Sequence, residues 1–136
     1  MENDQDETPF VPVDALPLSV RPLFPYRQFN AMQSGCVDVA YCSDRHLVLS
    51  APTGSGKTAV LEMCLARLWS SEAWCAEARG SRAAAVYIAP LKALTAERLD
   101  DWRQKLAGSE IQICELTGDA EADQEAHDMT RPCCCT

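Results

Sequence analysis

The octet Ala51-Pro52-Thr53-Gly54-Ser55-Gly56-Lys57-Thr58 is where this sequence concentrates its chemistry. Two glycines around a serine let the backbone curl until successive amide hydrogens converge on one point, which suits the oxygens of a phosphate. A helix that starts where the curl ends adds the positive end of its dipole to the same point. The lysine of such an octet reaches the β- and γ-phosphates of a nucleoside triphosphate, and the hydroxyl after it ligates Mg²⁺. Lys57 and Thr58 are therefore the candidate catalytic pair, and Thr58 the candidate metal ligand. Thr53, Gly54, Ser55, Gly56, Lys57 and Thr58 form the candidate nucleotide-binding set, with Ala51 standing where the pattern usually begins with glycine.

Such a loop has to sit between a strand and a helix, and the flanking residues supply both patterns. His46 to Ser50 (HLVLS) is a short β-favouring run, while Leu61, Cys64, Leu65 and Leu68 recur at helical spacing. Further on, Ala83 to Ala89 (AAAVYIA) reads as a second buried strand closed by Pro90. A helix follows in which Leu99, Trp102 and Leu106 face the core, and Gly108 is placed to stop it. Ile111 to Leu116 (IQICEL) gives a third strand, ending at the turn Thr117-Gly118-Asp119. Upstream, Phe29, Met32, Cys36 and Ala40 mark one face of a helix that ends near Tyr41. Strands alternating with helices predict a mostly parallel sheet built from right-handed crossovers. The loop alone leaves the ABC, AAA, GTPase and helicase classes all open.

Composition bounds the rest. The net charge of −8 is uneven: residues 1–20 carry five acids and no base, residues 21–114 eleven bases and nine acids, and residues 115–136 six acids and one base. Acidic ends around a near-neutral middle do not argue against a nucleic-acid partner. No run of about 18 apolar residues exists to form a membrane span, and the acidic start MENDQDET is unlike a secretory or mitochondrial leader. An intracellular location is expected. The eight cysteines lack disulfide or zinc spacing and read as free buried thiols, with Cys36, Cys64 and Cys114 on apolar faces and no metal expected at the Cys133-Cys134-Cys135 run. Pro9, Pro12, Pro17, Pro22 and Pro25 predict an extended or disordered lead-in over residues 1–22.

Two neighbours of the loop choose among the classes. Phe24-Pro25-Tyr26-Arg27-Gln28-Phe29-Asn30-Ala31-Met32-Gln33 resembles the Q-type motif of superfamily 2 helicases in its F-N-x-x-Q form. Ala89-Pro90-Leu91-Lys92-Ala93-Leu94 is similar to helicase motif Ia, and Leu116-Thr117-Gly118-Asp119 to the T-G-D turn that follows it. Within these DEAD/DEAH-box helicases the resemblance is strongest to the Ski-like group and its meiotic, crossover-promoting Mer-type DNA helicases. It covers residues 23–128, with 129–136 a tail outside the family pattern.

The resemblance implies an α/β fold: part of a RecA-like P-loop NTPase domain, three-layered with a mostly parallel sheet. It implies ATP and Mg²⁺ as cofactors. Gln33 would pair with the adenine edge, because an amide offers both a donor and an acceptor, and this favours ATP over GTP. Phe29 would help fix the base, although its place on an apolar helix face fits a core role equally. Pro90, Lys92, Thr117 and Gly118 would contact a DNA strand, largely through backbone amides and one lysine. The parent is implied to be a monomeric nuclear motor acting on single-stranded or junction DNA, with no membrane role.

No DE-x-H or DE-x-D sequence follows the loop, so the acidic box that positions Mg²⁺ and the attacking water in these helicases has no counterpart here. The expectation is therefore an ATP-binding amino-terminal portion of a helicase, truncated before the acidic box and inactive alone. The alternative is a short, non-enzymatic regulator or decoy that binds ATP or a partner.

Overall fold

Asn30 starts the first helix because its side chain supplies what the first turn lacks. A helix leaves its opening amides without intrahelical acceptors. Asn30 Oδ1 accepts from the Gln33 amide at 2.9 Å, and Gln33 Oε1 accepts from the Asn30 amide at 3.0 Å. This reciprocal capping box opens α1, Ala31–Ala40, which is closed at Tyr41 as the apolar spacing predicts. The computed structural model describes residues 10–70, 85–109 and 111–116, divided between two compact units, Met1–Ala85 and Val86–Thr136.

In the first unit α2, Lys57–Ser70, packs against α1. Its buried face is Ala59, Val60, Glu62, Met63 and Ala66. The expected stripe of Leu61, Leu65 and Leu68 is only half-buried, and Cys64 is exposed. Both stripes have helical spacing and lie on opposite sides of the helix, so periodicity does not decide which one finds a neighbour. The two helices are tied at both ends. Asn30 and Gln33 bond to the loop ahead of α2. At the far end Arg67 Nη1 donates to the Tyr41 carbonyl at 2.9 Å, and Tyr41 Oη lies 3.2 Å from Ser70 Oγ. α1 and α2 therefore run side by side in the same direction.

The proline-rich stretch is not an open lead-in from Phe10 onward. Val13–Ala15 and Arg21–Leu23 form short 3-10 turns, and Val13, Leu16, Val20, Leu23 and Phe24 are buried. Backbone bonds from Val13 to Arg27 and from Phe29 to Val11, both 2.9 Å, pair its start with the residues just before α1 around the Pro12–Gln28 bridge. Prolines are tolerated here because they fall where no amide is needed, as Pro22 does within the first positions of its turn. Apolar residues between the prolines bring enough burial to order the segment. Each fully buried side chain of the size of Phe29, Leu23 or Met63 contributes about 1.5–3 kcal/mol. That exceeds the roughly 1 kcal/mol net of an ordinary hydrogen bond.

In the second unit, α3 spans Lys92–Lys105. Trp102 and Leu106 are buried as the spacing predicts, while Leu99 is half-buried. Tyr87 meets Trp102 edge to face with ring centroids 5.4 Å apart. The chain leaves the helix through Gly108 at φ 90°, a left-handed turn that favours glycine. Along α3, Asp101 bonds to Arg98 at 3.2 Å and to Lys105 at 2.9 Å.

The expected parallel sheet is the main departure. Among the described residues the single β-bridge is Pro12–Gln28, and 46–50, 85–89 and 111–116 carry no ladder. Val48, Val86 and Ile88 are 96%, 80% and 86% exposed. An apolar β-favouring run becomes a strand only when a neighbouring backbone completes its hydrogen bonds, and none of the described segments does so for these three. Residues 83 and 84 of the second expected strand lie outside the described residues, as do Cys75 and Cys133 to Cys135. Cys36, Cys42, Cys64 and Cys114 are free thiols.

Candidate nucleotide site

The loop between residue 50 and α2 is shaped by Gly54 and Gly56, with φ of 82° and 90°. Side-chain-bearing residues rarely adopt this region. The two glycines differ in their surroundings. A Cβ on Gly54 would meet nothing within 4 Å, whereas one on Gly56 would lie 2.3 Å from Gln33 Nε2. Gly56 is thus favoured by its backbone conformation, and a Cβ there would also displace the end of the Gln33 side chain. Ser55 turns back on the loop, with Oγ donating to the Pro52 carbonyl at 2.8 Å.

Lys57 opens α2, and its ammonium donates to the carbonyls of Ala51 and Pro52 at 2.5 and 2.7 Å. The charge is held over the loop by the loop's own oxygens. Thr58 follows in the first turn of α2, exposed, and Thr53 is exposed on the loop. This donor set of curled backbone, lysine and helix-start hydroxyl fits a nucleoside triphosphate with Mg²⁺.

Gln33 is 5% exposed and belongs to the same assembly. Its Oε1 accepts from the Asn30 amide at 3.0 Å, and its Nε2 donates to the Gly56 carbonyl at 3.2 Å. A backbone donor and a backbone acceptor fix which end is oxygen and which is nitrogen. An amide side chain has two donors and two acceptor sites. One of each is used by these bonds, which leaves one of each for a further partner.

Phe29 is 1% exposed, with ring centroids 5.1 Å from Phe24 and 5.7 Å from Tyr26. Of its two readings from sequence, the structure places it in the core. The accessible member of the aromatic trio is Tyr26. Burial, with the Glu62 carboxylate adding to it, pushes the Tyr26 hydroxyl up from 10.0 to about 12.

Asn30 is the residue that sequence reasoning passed over. Besides capping α1, its Nδ2 donates to the Ser55 carbonyl at 3.0 Å. The signal was present as an Asn with a Gln three residues later, the spacing of a capping box.

Of the residues expected to touch DNA, Pro90 and Lys92 lie in the second unit at the start of α3, both exposed. Leu91 occupies the cap position without a side-chain hydrogen bond. Behind this start, Thr95 Oγ1 lies 2.7 Å from Glu115 Oε1 and 2.8 Å from the Lys92 carbonyl. Thr117 and Gly118 lie outside the described residues. No helix among the described residues is long and apolar enough to cross a membrane.

Comparison with known proteins adds an independent observation. The DEAD/DEAH box helicase family matches residues 30–135. A rice protein named ATP-dependent DNA helicase MER3 homolog is 44% identical over 109 residues, covering 78% of this chain and 9% of its own length. Its Arabidopsis thaliana counterpart, ATP-dependent DNA helicase homolog MER3, is 44% identical over 113 residues, 80% of this chain and 10% of its own. A Xenopus tropicalis protein named Probable ATP-dependent DNA helicase HFM1 is 40% identical over 132 residues, 89% of this chain and 9% of its own. The chain thus spans about a tenth of the length of these relatives. The glycine loop, the amide of Gln33 against it and the extent of these matches lead to one assignment: the chain belongs to the DEAD/DEAH box helicase family, related to the MER3 and HFM1 DNA helicases.

Proposed function

We propose that this chain is the ATP-holding part of an ATP-dependent DNA helicase, with the nucleotide bound across the start of α1 and the start of α2. The observation that carries the reading is the bond from Gln33 Nε2 to the Gly56 carbonyl. It joins the amide that would read the base to the loop that would hold the phosphates, which supports the reading. The remaining donor and acceptor of Gln33 match N7 and the N6 amino group of adenine. Guanine presents two acceptors along the same edge, so its O6 would face the Gln33 oxygen. ATP is favoured over GTP.

Thr53, Gly54, Ser55 and Gly56 would hold the phosphates, with Lys57 moving from the Ala51 and Pro52 carbonyls to the β- and γ-phosphates. Thr58 would hold Mg²⁺, which supplies charge neutralisation on the phosphate oxygens when bound. Pro90, Lys92, Thr117 and Gly118 would meet the DNA backbone. In a full-length protein resembling the relatives, these parts would serve a monomeric, nuclear, meiotic motor that binds single-stranded or junction DNA and couples ATP hydrolysis to unwinding. The helicase portion would be residues 23–128 of a partial RecA-like domain whose sheet holds the runs at 46–50, 83–89 and 111–116. Without an acidic box in its sequence, the chain alone would bind ATP and not turn it over.

Isothermal titration of the 136-residue chain with ATP and GTP tests this. The expected result is Mg²⁺-dependent ATP binding, at least about tenfold weaker GTP binding, and loss of both in Lys57→Ala; tenfold corresponds to about 1.4 kcal/mol, near one well-placed polar contact. Equal affinity for the two nucleotides, or binding indifferent to Lys57→Ala, would overturn the assignment.

A further inference from the structure

We propose that Asn30 is a positioning residue for the nucleotide site, setting the direction of the loop's phosphate-binding amides from the start of α1. The proposal rests on the ATP-binding reading above and extends it to a residue that does not itself touch the nucleotide. Asn30 Oδ1 accepts from the Gln33 amide at 2.9 Å while Nδ2 donates to the Ser55 carbonyl at 3.0 Å. Capping needs only the oxygen, and Asp, Ser or Thr would provide it. Reaching Ser55 as well needs a donor on the same short side chain, and an Asn amide has one. The amide orientation is fixed, because the reverse would set N–H against N–H and oxygen against oxygen.

The consequence lies in the peptide planes. Every peptide bond in the described structure is trans, so a carbonyl and the following N–H point in opposite directions. Asn30 holds the Ser55 carbonyl on the α1 side, which aims the Gly56 N–H away from α1. Gln33 Nε2 holds the Gly56 carbonyl in the same way at 3.2 Å, which aims the Lys57 N–H away as well. Two consecutive amides at the head of α2 are thereby oriented from one capping box. Ser55 lies between two glycines at positive φ, where the backbone is otherwise free to rotate its peptide planes. Among the described residues the tether is the bond that orients the Ser55 carbonyl, whereas the Gly56 carbonyl is also held by the Ala59 amide at 3.1 Å.

The Asn30 to Ser55 bond is exposed to solvent, so removing it costs little global stability and its effect is local. Capping and tethering can therefore be separated by substitution. Asn30→Ser keeps a cap oxygen and loses the reach to Ser55; Asn30→Ala loses both functions. The variants are compared with the unaltered 136-residue chain by thermal melting, by NMR order parameters of the Gly56 and Lys57 amides without nucleotide, and by ATP titration. Asn30→Ser should melt within about 2 °C of the unaltered chain, whereas Asn30→Ala falls by about 5 °C. Both should lower the two order parameters from about 0.85 towards about 0.6 and weaken ATP binding by about fivefold.

If Asn30→Ser has the order parameters and the ATP affinity of the unaltered chain, Asn30 is a cap only and the proposal is overturned. Should Asn30→Ser melt early, Asn30→Asp replaces it as the variant that caps without donating, and unchanged order parameters there overturn the proposal equally. If the unaltered chain binds no ATP but Asn30→Ser still loosens the two amides, the tether stands and the nucleotide reading fails. Neither binding nor a change in order would end both.

Discussion

The first unit and the second differ in how their polar and apolar groups are answered. Up to Ser70, the loop, the cap of α1 and the far ends of both helices bond to one another, over a core of Leu23, Phe29 and Met63. From Val86 onward α3 buries Trp102 and Leu106, but Val86, Ile88, Leu91 and Leu116 are 62% exposed or more. Glycine turns and helix stripes act over a few residues and are realised in both units, while the side-chain cap of α1 has no counterpart at the start of α3. Strands need partners supplied by distant chain, and none is present among the described residues. The glycine loop is a local structure, while the sheet expected behind it is a collective one.

The sharpest way to break this contrast is to compare Phe29→Ala with Val48→Ser. Emptying the Phe29 site should cost about 3–5 kcal/mol in urea unfolding. Val48, 96% exposed, should change stability by less than about 0.5 kcal/mol. A comparable loss at both positions would mean that the run at 46–50 is packed in a sheet after all.

A smaller difference separates two glycines. Gly56→Ala meets an unfavourable φ and the Gln33 side chain, 2.3 Å from its new Cβ, whereas Gly108→Ala meets the φ alone with nothing within 4 Å. About 1–2 kcal/mol is expected for Gly108→Ala. Gly56→Ala should exceed it by roughly 1 kcal/mol through loss of the Gln33 bond. Equal costs would show that α1 does not press on the loop.

Comparing Tyr26→Phe with the unaltered chain at alkaline pH probes the first unit. The Tyr26 hydroxyl is raised from 10.0 to about 12 by burial and then by Glu62. The folded state therefore favours the neutral phenol. That contribution is fully present below pH 10 and is lost as pH rises through about 12. Melting across this range should fall for the unaltered chain and fall less for Tyr26→Phe; identical curves would remove the burial argument. The smallest effect belongs to Asp44, whose side chain is 93% exposed beside Arg67 at 2.8 Å. Asp44→Asn should cost under about 0.5 kcal/mol and vanish into noise at high salt.

Legibility followed the same division. The octet at 51–58, the end of α1 at Tyr41 and the glycine stop at Gly108 were readable because each depends on near neighbours. The buried face of α2 was misread because Ala59, Met63 and Ala66 share helical spacing with the more conspicuous leucines. Prolines suggested an open lead-in, yet Val13, Leu16 and Val20 bury enough surface to fold it. For the candidate site, the motif singled out Gln33 but not what the side chain touches. Its bond to Gly56 and that of Asn30 to Ser55 join residues more than twenty positions apart, a proximity no spacing rule supplies.

The shared direction of α1 and α2 carries an electrostatic consequence. Parallel neighbours bring like ends of their peptide dipoles together, so two partial positive charges gather at the loop and two partial negative ones near Tyr41 and Ser70. Arg67, bonded to the Tyr41 carbonyl, compensates the negative pair. At the other end the repulsion is unrelieved by any acidic residue in the first turn of either helix. The fold thus holds a modest, salt-screened tension whose natural counterweight is an anion.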